Sequence, residues 1–474
     1  MNELPADKGR DEWSNLVLRS LRKLAMTQTF DEMKLEKESI QLLTKAIEKL
    51  ESGFDLPDFN TSYDYQKMEE VILKVAEKMH DNYPYFHPLF AGQMLKPPHP
   101  IAKAAYMMAM WINPNNHAMD GSKASSPMEK EVVEDLAKMF GWNDHLGHLT
   151  GGGTMANLEA LWVAGNIHPD KTIVASDQAH YTHERISEVL KLKFEKVDTD
   201  HQGRIDIDAL EEKLKNGNVG TVVCTMGTTG LGSVDPLPEI VALQKKYDFR
   251  IHADAAYGGY FRLLENLEPS TSEKYDLLDQ VDSIVIDPHK QGLQPYGCGC
   301  VLFKNPEVAK YYIHDSPYTY FTSEELHLGE ISLECSRAGA SAVGLWATHQ
   351  LMPPVKGGKF ASDLSKSRDA ALSHYEKLST SEHFFSIVKP ETDIVSWAMK
   401  GKKVSEMSKA AQEVFKRAEQ NHLHLSLYKY PTAKFNNPDF EIDAEYLICL
   451  RSSLMKPEHK DWLEEIWARL EKSI

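Results

Sequence analysis

The apolar positions of this chain follow two different periods. Over the first 78 residues they recur at helical spacing. The run DEWSNLVLRSLRKLAM sets Trp13, Leu16, Val17, Leu21 and Leu24 on one face. From about residue 79, short continuous apolar runs take over: TIVAS, TVVCTM, FRIHAD, SIVID and CGCVLF. Amphipathic stretches such as IDALEEKLK and EIVALQKKY separate them. Strands that are apolar throughout are buried on both faces, so this alternation predicts an α/β domain with a mostly parallel sheet. From about residue 347 the pattern turns helix-rich again, with a few strands, AEYLICLRSS among them. Met352-Pro353-Pro354 and Lys356-Gly357-Gly358-Lys359 mark the junction. The expected division is a helical segment, 1–78, a large domain, 79–346, and a smaller C-terminal α+β domain, 347–474.

Composition narrows the function. The chain has 474 residues, enough for a large core, and a formal net charge of −17. Nucleic acid does not suit that charge, because phosphate neutralisation needs a basic surface. The five cysteines are odd in number and irregular in spacing, which points to a reducing compartment. The N-terminal residues lack an apolar signal region, and no run reaches the length of a membrane span. A cytoplasmic enzyme is the expectation. Cys298 and Cys300, the pair His145 and His148, and the pair His180 and His183 lack a partner set for zinc, so no metal is expected.

The candidate chemistry sits where the apolar runs end. Lys290 closes Asp287-Pro288-His289-Lys290 just past SIVI. A lysine amine there suits a Schiff base with an aldehyde cofactor, provided that a desolvated or cation-flanked site lowers its pKa. A surface lysine after a strand is the plainer alternative. Asp254 ends the run IHAD, and Ala255 and Ala256 leave room beside it for a flat ring. A buried carboxylate needs a partner. A protonated pyridine nitrogen is one; the helix cap is the other reading. Upstream, Thr150-Gly151-Gly152-Gly153-Thr154 leads into a helical segment, whose first N–H groups can cradle a phosphate. It matches neither the dinucleotide nor the Walker template, and it also reads as a turn. His180, between that loop and Asp254, is placed to stack on a ring.

Together these pieces resemble one family. HPLFAGQM, TGGGTMANLEAL, HYTH, CTMGTTGLGSVDP, HADAAYGG, DPHK and ECSRAGA, spread over roughly residues 86 to 346, are similar to the group II amino-acid decarboxylases. These are fold-type I enzymes of pyridoxal 5'-phosphate (PLP), with an aspartate-aminotransferase-like fold. Aromatic-amino-acid, tyrosine, glutamate and cysteine-sulfinate decarboxylases belong to them. The resemblance implies that Lys290 binds PLP covalently and that Asp254 pairs with the ring nitrogen. It implies that His180 stacks on the ring face opposite Ala256. Gly153, Thr154 and His289 would bind the phosphate, and Thr228 would lie near the ring oxygen. Ser336 would reach the phosphate from the partner subunit, which makes the enzyme a homodimer with composite sites. Asp287 stands where many members have asparagine.

The resemblance also implies a mobile loop with a tyrosine that protonates the α-carbon. Tyr318 is the expected donor and Tyr320 the second choice. Phe90, Gln93, His117 and Ser126 are the expected substrate-pocket residues. An aromatic substrate such as tyrosine would want flat apolar walls, for which Phe86 and Phe90 are available. An acidic one (glutamate, aspartate or cysteine sulfinate) would want a cation, from Lys96, Lys123 or Arg337. The aromatic reading is preferred, because DPHK and AAYGGYFR look closer to the microbial tyrosine-type branch. A PLP carbon–carbon lyase and a silent binding protein are the remaining alternatives.

Overall fold

The computed structural model describes residues 29–55, 62–313 and 326–474. The apolar face of Trp13 to Leu24, and both loop tyrosines, Tyr318 and Tyr320, lie outside the described residues.

Seven strands form the main sheet: β1 Leu146–Thr150, β2 Thr172–Ser176, β3 Phe194–Val197, β4 Val219–Thr225, β5 Arg250–Asp254, β6 Ser283–Ile286 and β7 Gly299–Phe303. Their order is β1-β7-β6-β5-β4-β2-β3. Pairings from β3 through β6 are parallel, and β7 runs antiparallel to both of its neighbours. All five apolar runs fall in this sheet. Their side chains are buried on both faces, as near-continuous Val, Ile and Leu runs require. The runs do not reveal β1 and β3. In β1 the sequence LGHLT carries a histidine, which the fold accommodates by pairing His148 Nε2 with Glu159 at 2.9 Å, both fully buried. Gly147 lets β7 approach: a Cβ there would sit 2.6 Å from Val301 O. Edge strand β3, FEKV, is partly exposed and polar.

A second, antiparallel sheet follows: β8 Phe384–Ser386, β9 Ile394–Met399, β10 Ser426–Pro431 and β11 Tyr446–Ser453, in the order β10-β11-β9-β8. Helices Lys359–Thr380, Val404–Gln420 and Leu463–Glu471 cover it with their apolar sides. The packing shifts the expected boundaries. One continuous helix, Gly339–Leu351, runs through residue 346. Leu89 and Ala91 join the core of the C-terminal sheet, with Ala91 N–H donating to His424 O at 2.9 Å.

The consequence for function is geometric. Strands β1, β2, β4, β5 and β6 all point the same way, so their carboxyl ends share one edge. That edge is where open α/β sheets bind ligands.

Candidate active site

A cavity of about 330 Å³ opens at that edge. It is within the usual range for a small-molecule site. Loops after five strands line it: Gly151 to Thr154 after β1, His180 after β2, Gly227 and Thr229 after β4, Ala256 and Tyr257 after β5, and Asp287, His289 and Lys290 after β6.

Asp254 forms one end. It is 7% exposed, and both carboxylate oxygens are engaged. Oδ2 pairs with His183 Nε2 at 2.8 Å, and Oδ1 accepts from Ala256 N–H at 3.2 Å. Burial pushes this carboxyl upward, but the His183 hydrogen bond and nearby positive charge outweigh it and hold it well below the usual carboxylate range. Asp254 is therefore a fixed anion. Behind it, burial holds His252 down at about 3, and its ring joins Asn157 at 2.8 Å and Ser283 at 2.9 Å.

The glycine loop forms the other end. Helix Gly153–Ile167 starts there, and its first N–H groups have no partner inside the helix. Gly152 has φ +145° and lies close to His289. A Cβ on Gly153 would stand 2.6 Å from Asp287 Oδ2, so the backbone must be bare at this point. The N–H of Gly151 is already taken by the Glu334 carboxylate at 3.0 Å. Any phosphate is thus left to the helix start. Asp287 Oδ1 is buried and has no partner among the described residues.

Lys290 lies between the two ends. Its Nζ is 3.1 Å from Asp287 Oδ2. The expected lowering of its pKa does not hold. Burial pulls the amine down, but Asp287 and Asp254 are the stronger influence together and raise it above the ordinary lysine value. The site is anion-flanked rather than cation-flanked, so without a ligand Lys290 is an ammonium. His289 donates from Nδ1 to Cys298 O at 2.9 Å, and its ring lies 4.6 Å from that of Tyr296. His180 lines the cavity, anchored by Thr182 Oγ1 at 2.8 Å. Burial lowers its pKa, and the Lys290 charge adds to that despite Asp254, so it is neutral.

Seven expected residues therefore meet at one cavity: Gly153, Thr154, His180, Asp254, Ala256, His289 and Lys290. Others do not. The Thr228 hydroxyl turns into its own loop and accepts from Ser233 N–H at 3.1 Å, while Thr229 lines the wall. Ser336 is exposed, outside its own chain's cavity, and accepts from Asn115 Nδ2 at 3.1 Å. None of the four expected substrate contacts lines the cavity within one chain. Phe90 packs against Tyr85 at 4.9 Å and beneath Lys456, on the C-terminal core. Gln93 is exposed, and its neighbour Met94 faces the cavity instead. Ser126 is fully buried in helix Ser125–Met139. His117 is half-buried away from the wall. His183, Asp287 and Tyr296 went unassigned. His183 lies in the first turn of helix Thr182–Leu190, just past His180, and its place in HYTH was the available signal.

A family model described as the pyridoxal-dependent decarboxylase conserved domain matches residues 159–400, half of the chain. The chain belongs to this family. Its activity is PLP-dependent amino-acid decarboxylation. Over 367 residues it is 28% identical to a Methanosphaera stadtmanae protein named "Probable L-tyrosine/L-aspartate decarboxylase", covering 75% of this chain and 91% of that one. Over 398 residues it is 28% identical to the L-tyrosine decarboxylase of Enterococcus faecium, covering 63% of this chain and 65% of the relative. The solved structure of mouse CSAD superposes with a TM-score of 0.74 at 19% identity, over 97% of this chain and 99% of that one. The fold is thus that of the type I PLP decarboxylases. The cavity fits the cofactor: a fixed anion for a ring nitrogen, bare backbone at a helix start for a phosphate, and an amine between them.

Proposed function

We propose that the chain decarboxylates an aromatic L-amino acid, tyrosine foremost, to carbon dioxide and a primary amine. One observation carries this choice. Among the described residues lining the cavity, Lys290 is the sole lysine or arginine, and Asp287 holds it. Of the cations expected to recognise an acidic side chain, Lys123 is exposed and does not line the cavity, and the other two are engaged elsewhere. Lys96 donates to Gln291 at 2.9 Å and to Met455 O, and Arg337 is clamped on Glu129, Leu149 O and Asn116 O. Met94, Tyr257 and Tyr296 supply an apolar and aromatic wall.

Lys290 is the residue that would hold the cofactor covalently. Gly153, Thr154 and His289 would hold its phosphate, and Asp254 its ring nitrogen. When bound, PLP supplies an electron sink for the bond that breaks at the α-carbon. Asp254 stays ionised and keeps a proton on the ring nitrogen. His183 orients that carboxylate. Neutral His180 can cover the ring without adding charge. Tyr318 is the proposed proton donor to the α-carbon, with His180 in reserve.

We also propose a homodimer in which Ser336 completes the neighbour's site. Helix Tyr65–Met79 supports this, having no buried residue although Met68, Val71, Ile72, Leu73 and Val75 are apolar. Such a surface calls for a cover. An active monomer in sedimentation would refute it. We place the enzyme in the cytoplasm, since all five cysteines are free. No described helix is long and apolar enough to cross a membrane.

The deciding test is an amino-acid panel scored for released carbon dioxide. Tyrosine should turn over fastest. Aspartate or glutamate as the best substrate would overturn the aromatic assignment and leave the family intact.

A further inference from the structure

Behind the cavity floor lies a buried polar chain that reaches Tyr257 of HADAAYGG but is centred on a residue outside the motifs. Its centre is Asp393, which immediately precedes β9 and is fully buried. Oδ1 accepts from the Tyr257 phenol at 2.5 Å, and Oδ2 accepts from Gln291 Nε2 at 2.7 Å. Gln291 Oε1 in turn accepts from Lys96 Nζ at 2.9 Å. Gln291 is also fully buried, and Lys96 and Tyr257 are 8% and 4% exposed.

The positions of these partners matter. Tyr257 stands three residues after Asp254, and Gln291 directly follows Lys290. One carboxylate thus grips both segments that carry the principal cofactor residues. That carboxylate comes from the C-terminal sheet, and the countercharge comes from the segment before the first helix of the large domain. The arrangement is directional. The Gln291 amide turns its nitrogen to the anion and its oxygen to the ammonium, so it joins two buried charges that are not in contact. Either charge alone would be expensive to bury. Burial pushes the Asp393 carboxyl up and pulls Lys96 down to about 8, so each depends on its partners to stay charged.

We propose that Asp393 is a positioning residue of the active site. It holds the Asp254 and Lys290 segments at a fixed separation, so that docking of the C-terminal sheet sets the grip on the cofactor. The proposal rests on the PLP reading of the cavity.

The test compares cofactor affinity with stability in the full-length protein. Asp393→Asn keeps shape but removes the anion opposite Lys96, and its NH₂ either opposes the Gln291 NH₂ or, flipped, forces the Tyr257 phenol to turn from donor to acceptor. Flipping Gln291 only moves the conflict to Lys96. PLP affinity, measured by absorbance titration of apoprotein that is folded by circular dichroism, should weaken about tenfold or more. The kcat should fall more than KM rises. Adding Lys96→Met lets Gln291 flip freely and should recover most of the affinity. Gln291→Met, which cuts the Lys290 arm and its link to Lys96 but leaves the Tyr257 bond, should weaken affinity in the same direction, and it serves if Asp393→Asn does not fold. A lowered melting temperature with PLP affinity and kcat within about twofold of wild type would overturn the proposal, because that is the signature of a stability role alone. If wild-type protein itself fails to take up PLP, the reading of the cavity falls, and this proposal with it.

Discussion

The floor and the rim of the cavity were built by different rules. The floor comprises Asp254 at the end of β5, His183 in the first turn of helix Thr182–Leu190, and Asp287 and Lys290 just after β6, all at the carboxyl edge of one buried sheet. It is complete within one chain, and its groups are in hydrogen-bond contact. The rim was expected from residues 86 to 126, around Ser336 and in the loop of Tyr318. There the expected residues scatter. Phe90 and Ser126 are core, Gln93 and Ser336 are exposed, and Tyr318 lies outside the described residues. A strand fixes where its last residue goes, so chemistry at strand ends is positioned by the sheet. A rim segment is positioned only by what packs on it, and in the proposed dimer a second subunit would be part of that.

Substitutions can test this contrast. The largest effect belongs to the floor. Lys290→Ala should fold normally but lose turnover by several orders of magnitude. Borohydride treatment should no longer fix the cofactor to the chain, which peptide mapping would show. Next comes the rim residue expected to donate a proton. Tyr318→Phe should cut amine formation by roughly 10²- to 10⁴-fold, the usual worth of a positioned acid. Aldehyde and peroxide should rise as dioxygen intercepts the unprotonated carbon, and Tyr320→Phe should be mild. An unchanged product from Tyr318→Phe would make that loop a lid and turn attention to His180.

A smaller effect separates the floor's inner support from its outer wall. The Asp254 carboxyl is held far below its ordinary value, so it is ionised throughout the working range and wild-type PLP affinity should not fall between about pH 8 and pH 5 on its account. His183→Gln removes the main partner and lets that carboxyl rise. Affinity should then drop as pH falls, and a flat profile would show that His183 is packing only. Phe90→Ala should cost about 3 to 5 kcal/mol of stability in a denaturant titration, with KM little changed. Smallest of all, Gln93→Ala should alter stability by less than about 0.5 kcal/mol and leave KM alone. A large KM change from Gln93→Ala would bring the rim into the substrate site, as the proposed dimer would allow.

Much of the fold could be read directly from apolar runs. TIVAS, TVVCTM, FRIHAD, SIVID and CGCVLF all became strands, because an all-apolar run bounded by turns has few other buried solutions. LGHLT and FEKV were missed, since one hides a histidine behind Glu159 and the other is a polar edge. Among the site residues, the glycine loop, His180, Asp254 and Lys290 stood out by local pattern, the role of His289 rested on the family resemblance, and Asp287 went unassigned.

What the sequence by itself determined, then, is the order of chemistry along the chain: glycine loop, His180, Asp254, Lys290, which the sheet rearranges along its edge to glycine loop, Lys290, Asp254, His180. Each depends on a strand and the few residues after it. Only the tertiary structure decided the pairings. His183 meets Asp254 across 71 residues, Gln291 meets Asp393 across 102, and Tyr257 meets Asp393 across 136. It also reversed the charge environment of Lys290, through Asp287, a sequence neighbour whose facing the sequence does not show, and Asp254, which only the fold brings near. Hydrogen bonds and Coulomb interactions act over a few ångströms in space, so a hydrophobic pattern along the chain carries no record of them until the fold brings their partners together.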